Sequence, residues 1–139
     1  MKEFKSQEIT KKIIGAAMKV QTTLGDGFTE IIYQRALAIE FTKASLLFVQ
    51  ELYWPIFYNE VIIGKRRVDF FVENLISMEL KAKAIIKPAH FSQAGNYLEV
   101  QNLKAGLVLN FGNISLGYKR IQNPKFNPNL KILIITLNP

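Results

Sequence analysis

The order of elements in the chain predicts an α/β fold, a central mixed β-sheet flanked by helices. Three observations carry that expectation. Two long segments near the start repeat apolar residues at intervals of three and four. Short runs rich in β-branched and aromatic residues follow them. A further helical segment then separates these strands from a second group, as a helix does when it carries the chain across a sheet.

In residues 9–24, Ile9, Ile13, Ala16, Ala17, Val20 and Leu24 form one apolar face, and Gly25-Asp26-Gly27 ends the helix. A second helix is expected over 29–44, with Ile32, Ala36 and Ile39 on its buried stripe. Glu30 falls in its first turn, where the helix dipole favours an anion. Residues 48–57 and 61–72 read as strands, with Tyr58-Asn59-Glu60 as the hairpin connection. Pro55 makes the first of them an edge strand or a bent one, because proline cannot donate to a ladder. In the strand 76–81, alternation sends Glu79 and Lys81 to one face and Met78 and Leu80 to the other. Pro88 suits the first turn of a third helix reaching about 103, with Phe91, Ala94 and Leu98 inward. Residues 105–110 are apolar enough for a buried strand, Gly112-Asn113 marks a turn, and 116–122 and 132–137 complete the sheet. Residues 123–129 form an irregular connection.

With 139 residues, 49% of them hydrophobic, residues 1–139 are expected to make one domain with a real core. Lys and Arg number 18 against 11 Asp and Glu, a formal charge of +7 that favours a polyanionic partner. The excess is uneven. No acidic residue follows Glu99, whereas Lys104, Lys119, Arg120, Lys125 and Lys131 do, so a positive surface is expected there; a merely solvated basic face is the alternative. The absence of cysteine excludes disulfides and thiolate-held zinc and is compatible with a reducing cytoplasm. The first eight residues are polar and mixed in charge, and no apolar stretch approaches the ~18 residues that would cross a bilayer. A soluble, cytoplasmic protein without a membrane partner is therefore expected.

Asp69 stands on one predicted strand and Glu79-x-Lys81 on the next, so pairing of the two would gather two carboxylates and an ammonium at one edge. Such a group suits Mg²⁺, or Mn²⁺ in its place, and phosphodiester hydrolysis uses that ion to activate water and neutralise charge on the phosphate. A lysine beside it can position the water or stabilise the transition state. The spacing by itself describes a surface salt bridge equally well.

Gly27-Phe28-Thr29-Glu30-Ile31-Ile32-Tyr33 fits the Gly-x-x-Glu-x-x-Tyr signature, and the chain resembles the GxxExxY proteins, a branch of the PD-(D/E)XK nuclease superfamily. The resemblance extends in order through Arg67-Val68-Asp69, Glu79-Leu80-Lys81, the helix of His90, Gln93 and Tyr97, and Asn110-Phe111-Gly112, covering about 13–121. It implies a restriction-endonuclease-like core in which Asp69 and Glu79 ligate Mg²⁺ and Lys81 assists the water. Val68 stands where the superfamily motif has its proline. Glu30 resembles the helical glutamate that supplies a further metal ligand in the superfamily, and Tyr33, three residues on, projects from nearly the same face and is expected to contact substrate.

Gln93-Ala94-Gly95-Asn96-Tyr97 is similar to the Gln-x-x-x-Tyr motif of RecB-like exonuclease domains, which implies an amide and a phenol bordering the site. Residues four apart share a helix face, so both can meet a phosphate or hold the ligands in place; a packing pair is the plainer alternative. His90, the only histidine, lies one turn earlier and is expected to be a surface or capping residue. Lys65, Arg66 and Arg67 precede Asp69, and Lys83 and Lys87 follow Lys81; Arg67 and Lys83 are the candidates for holding a phosphate backbone. Tyr53, Trp54, Phe57 and Tyr58 read as packing residues rather than base-stacking ones. The expected activity is metal-dependent cleavage of nucleic acid, DNA before RNA. The alternative is a silent nucleic-acid-binding or accessory module of the same fold. A homodimer or an accessory protein partner is compatible with either.

Overall fold

The computed structural model describes residues 2–130, with side chains from Lys5 onward. Lys131 and the strand expected over 132–137 lie outside the described residues. Five strands form one sheet in the order β1-β2-β3-β4-β5: β1 (Phe48–Tyr58), β2 (Val61–Val72), β3 (Ile76–Lys81), β4 (Ala105–Asn110) and β5 (Gly117–Gln122). β1, β2 and β3 form an antiparallel meander, β4 runs parallel to β3, and β5 returns antiparallel to β4. The helices are α1 (Lys2–Leu24), α2 (Glu30–Lys43) and α3 (Pro88–Gln101), the last connecting the parallel pair. The expected mixed sheet flanked by helices is therefore present. No helix among the described residues is long and apolar enough to cross a membrane.

The two faces of the sheet bury different clusters. α1 brings Ile9, Ile13, Ala17 and Val20 onto one face, over Phe70, Met78, Leu80 and Leu107. On the other face α3 packs Ala94 and Leu98 against Trp54, Phe71, Val108 and Ile121. All six residues of β4 are buried, as expected of a strand covered on both faces. β3 alternates as its sequence predicts, with Ile76, Met78 and Leu80 in the first cluster and Ser77 and Glu79 on the α3 side.

α2 differs from the sequence expectation in phase. Its buried residues are Tyr33, Gln34, Leu37 and Phe41, whereas Ile39 is 59% exposed. This helix is apolar around much of its circumference, so periodicity alone allows two stripes, and packing against the sheet selects the one carrying the large rings. α3 ends at Gln101, short of the expected 103, because Asn102 takes the left-handed conformation that closes a helix (φ 51°).

Pro55 lies on the edge strand, as predicted. The β1–β2 connection is a two-residue turn at Asn59-Glu60, both with positive φ, the arrangement whose twist matches a hairpin. β2 meets β3 only at Phe70↔Met78, Phe71↔Ser77 and Val72↔Ile76, so the first half of β2 extends as a two-stranded ribbon with β1. This ribbon rolls at Asp69. Val68 packs in the α3-side cluster while Phe70, two residues on, packs in the opposite one, and Glu51 on β1 takes φ 53° at the same level.

Candidate active site

The roll puts Asp69 where β2 and β3 stop pairing. Its Oδ2 accepts a hydrogen bond from the backbone N–H of Leu80 at 2.8 Å, so the carboxylate reaches β3 between Glu79 and Lys81. Lys81 Nζ lies 4.0 Å from Glu79 Oε2. Asp69 thus reaches the β3 backbone between Glu79 and Lys81, and Glu79 lies on the side of the sheet that faces α3.

Two cations from β2 complete the cluster. Arg67, about half exposed, has Nη2 at 3.6 Å from Asp69 Oδ1 and Nη1 at 3.5 Å from Glu51 Oε1. Arg66 forms an ion pair with Glu79, and both side chains are only 13% exposed. The Arg66 guanidinium also lies 3.6 Å from the centre of the Tyr97 ring, close enough for a cation–π contact. Burial pulls the Arg66 pKa below its ordinary value, opposed by its hydrogen bond to Tyr97 and by the charge of Asp69. On α3, Gln93 Nε2 donates to the Tyr97 hydroxyl at 3.5 Å. A continuous polar path thus runs from exposed Gln93 through Tyr97 and Arg66 to Glu79 and Lys81.

Arg66 and Glu51 have a larger part here than their sequence context suggested. Three successive cations on a strand cannot all face solvent when alternate positions face a helix, which is the signal for Arg66. Nothing local marked Glu51. It is reached only because strand pairing sets β1 beside Asp69, and buried Gln34 on α2 donates to its Oε1 at 3.3 Å.

Glu30 lies exposed at the first residue of α2, one turn before Gln34 and so on the same helix face. Lys83 is exposed just beyond β3. His90 Nδ1 accepts the backbone N–H of Lys87 at 3.1 Å, the capping role expected for it. Tyr33 departs from the substrate-facing position expected of it. It is fully buried, its hydroxyl donates to Gly25 O at 2.6 Å, and its ring stacks on Phe111. Gly25 and Gly27 both have positive φ, so the loop that the hydroxyl holds needs glycine at these positions.

The segment after β3 is fixed by Asn110. Its side chain accepts from Lys83 N–H at 3.0 Å and donates to Lys83 O at 2.8 Å, as a neighbouring strand would. Phe111 N–H donates to Lys81 O at 2.8 Å. A Cβ on Gly112 would fall on the backbone of Lys83, which explains glycine there.

Asp69 and Glu79 offer the hard carboxylate oxygens that suit Mg²⁺ or Mn²⁺, an ion that keeps several waters and needs few protein ligands. Among the described residues no three His, Cys, Asp or Glu side chains are gathered closely enough to hold a metal. The donor chemistry fits a two-carboxylate site, on the condition that Glu79 exchanges Arg66 for the ion.

Comparisons with known proteins bear on the family and the fold. No sequence among the curated proteins is similar enough to count as a relative. The solved structure of SSO0001 superposes with a TM-score of 0.52 at 18% identity, over 68% of this chain and 50% of that one, a likeness of fold alone. The chain thus corresponds to about half the length of that protein. The family model of the PD-(D/E)XK nuclease superfamily matches residues 7–121, which takes in Asp69, Glu79, Lys81 and the whole of α3. By that match, over most of its length, the chain belongs to the PD-(D/E)XK nuclease superfamily.

Proposed function

We propose that the protein is a divalent-metal-dependent nuclease of the GxxExxY branch, acting on nucleic acid and on DNA before RNA. The observation that carries this is the reach of the Asp69 carboxylate to the β3 backbone between Glu79 and Lys81, where β2 leaves β3. Asp69 and Glu79 are the ligands of a two-carboxylate site, and Glu30, the third ligand expected from the resemblance, is not gathered with them. A Mg²⁺ or Mn²⁺ ion held there supplies Lewis acidity to activate water and offset charge on the phosphate. Lys81 orients the attacking water and balances charge that builds on the phosphate oxygens. Leu80 N–H fixes one oxygen of Asp69 and so orients the other. Arg67, Lys83, Gln93 and Tyr97 border the site and hold the backbone of the substrate. Tyr33 supports the site from beneath.

The test is a cleavage assay on single- and double-stranded DNA and RNA with Mg²⁺, Mn²⁺ or chelator, for wild type and Asp69→Asn. Metal-dependent cleavage by wild type alone is expected. Cleavage that persists in chelator, or in Asp69→Asn, would remove the assignment.

One observation favours a second reading. The Arg66–Glu79 ion pair neutralises a carboxylate that a nuclease needs for its ion, as in a silent module that binds nucleic acid through its basic surface. Salt-sensitive binding without hydrolysis in any metal would select it. A homodimer or an accessory protein would serve either reading by enclosing the substrate.

A further inference from the structure

We propose that Arg66 is a switch group shared between Glu79 and a substrate phosphate, so that nucleic acid opens the metal site by drawing Arg66 away. This inference rests on the nuclease reading and adds a control to it. Glu79 has two cationic neighbours, Arg66 in direct contact and Lys81 at 4.0 Å. A carboxylate so compensated has little remaining attraction for a divalent ion, and a third cation beside it would be repelled by the other two. The contact with Arg66 must therefore break before the ion binds well.

The surroundings of Arg66 fit such a movement. A guanidinium remains charged and presents a planar fork of donors that matches a phosphate as well as it matches a carboxylate. The Arg66 guanidinium carbon lies over the Tyr97 ring at 3.6 Å, a contact that a cation keeps while its donors change partners. Gln93, exposed and bonded to the Tyr97 hydroxyl, marks the way from Glu79 to the surface of α3. A phosphate near Tyr97 and Gln93 captures Arg66 while it remains on the same ring, and Glu79 keeps only Lys81. Coupling of this kind is reciprocal, so the ion also tightens the hold on nucleic acid, by about tenfold for an ordinary coupling energy.

The experiment is calorimetric titration of Mn²⁺ alone into the full chain as wild type, Arg66→Met and Asp69→Asn. Tighter binding to Arg66→Met than to wild type, by about tenfold, with loss in Asp69→Asn, is expected. Equal affinity of wild type and Arg66→Met, with loss in Asp69→Asn, overturns the switch and leaves the metal site standing. Failure of both wild type and Arg66→Met to bind overturns the metal reading and the switch together. If Arg66→Met does not fold, the wild type provides the readout by NMR. The Arg66 Nε–H and Tyr97 ring resonances are expected to move as Mg²⁺ saturates the site. Resonances that stay in place at saturation overturn the proposal.

Discussion

The ring of Tyr33 lies flat on the ring of Phe111, with 4.5 Å between centroids and 9° between planes. Phe111 in turn donates its N–H to Lys81 O, so a residue of α2 supports the end of the strand that carries Glu79 and Lys81. The same tyrosine holds the Gly25–Phe28 loop through its hydroxyl, which donates to Gly25 O and accepts from Phe28 N–H. Two distant parts of the sequence, 27–33 and 110–112, are thereby one mechanical unit.

Tyr33→Phe keeps the stack and removes the hydroxyl, so a loss of about 1 kcal/mol is expected in urea unfolding. Tyr33→Ala opens a cavity beneath Phe111 and should cost about 3 to 5 kcal/mol. If the two variants are equally stable, the ring does not carry the support assigned to it.

Asp69→Asn keeps an oxygen that can accept from Leu80 N–H, whereas Asp69→Ala leaves that donor without its partner. The alanine variant should be less stable by about 1 to 2 kcal/mol, with the asparagine variant close to wild type. Cleavage should be lost in both. Comparing thermal unfolding with a gel assay on the same preparations separates the structural part of Asp69 from the chemical part.

Gly112→Ala forces Lys83 away from Asn110 and should cost about 3 kcal/mol by overpacking. Asn110→Ala gives up the pair of bonds to Lys83 and should cost about 2 kcal/mol. Hydrogen exchange on the backbone of Lys81 to Lys83 reports the outcome. Faster exchange in both variants is expected, and unchanged protection would show that the segment is held by something else.

Glu79→Leu leaves the Arg66 guanidinium partly buried without its carboxylate, and a loss of about 3 kcal/mol is expected. The double variant Arg66→Met with Glu79→Leu removes both charges and should recover most of that loss. A double-mutant cycle in urea measures this. Simple additivity of the two single changes would mean that Arg66 and Glu79 are not energetically paired.

Much of this protein is legible in its sequence. Helical spacing, alternation and turn residues are local properties, so they located eight elements to within a few residues at most ends and placed Glu79 and Lys81 on one face. The sequence motif also named Asp69, because a carboxylate just ahead of Glu-x-Lys is a matter of order along the chain.

Tertiary structure decided what lies across space. Alternation puts Arg66 on the face of Val68 and Arg67 on the face of Asp69, but only strand pairing sets Arg66 against Glu79 and lets Arg67 bridge Asp69 to Glu51. The stripe of α2 was ambiguous because its apolar residues surround much of the helix, and only the sheet beneath could select Tyr33, Leu37 and Phe41 for burial. Sequence by itself determined the elements and the identity of the acid–acid–lysine set, since these depend on residue type and spacing. Which cation guards Glu79, and which tyrosine supports the site rather than bordering it, depended on twist and packing, which no local pattern encodes.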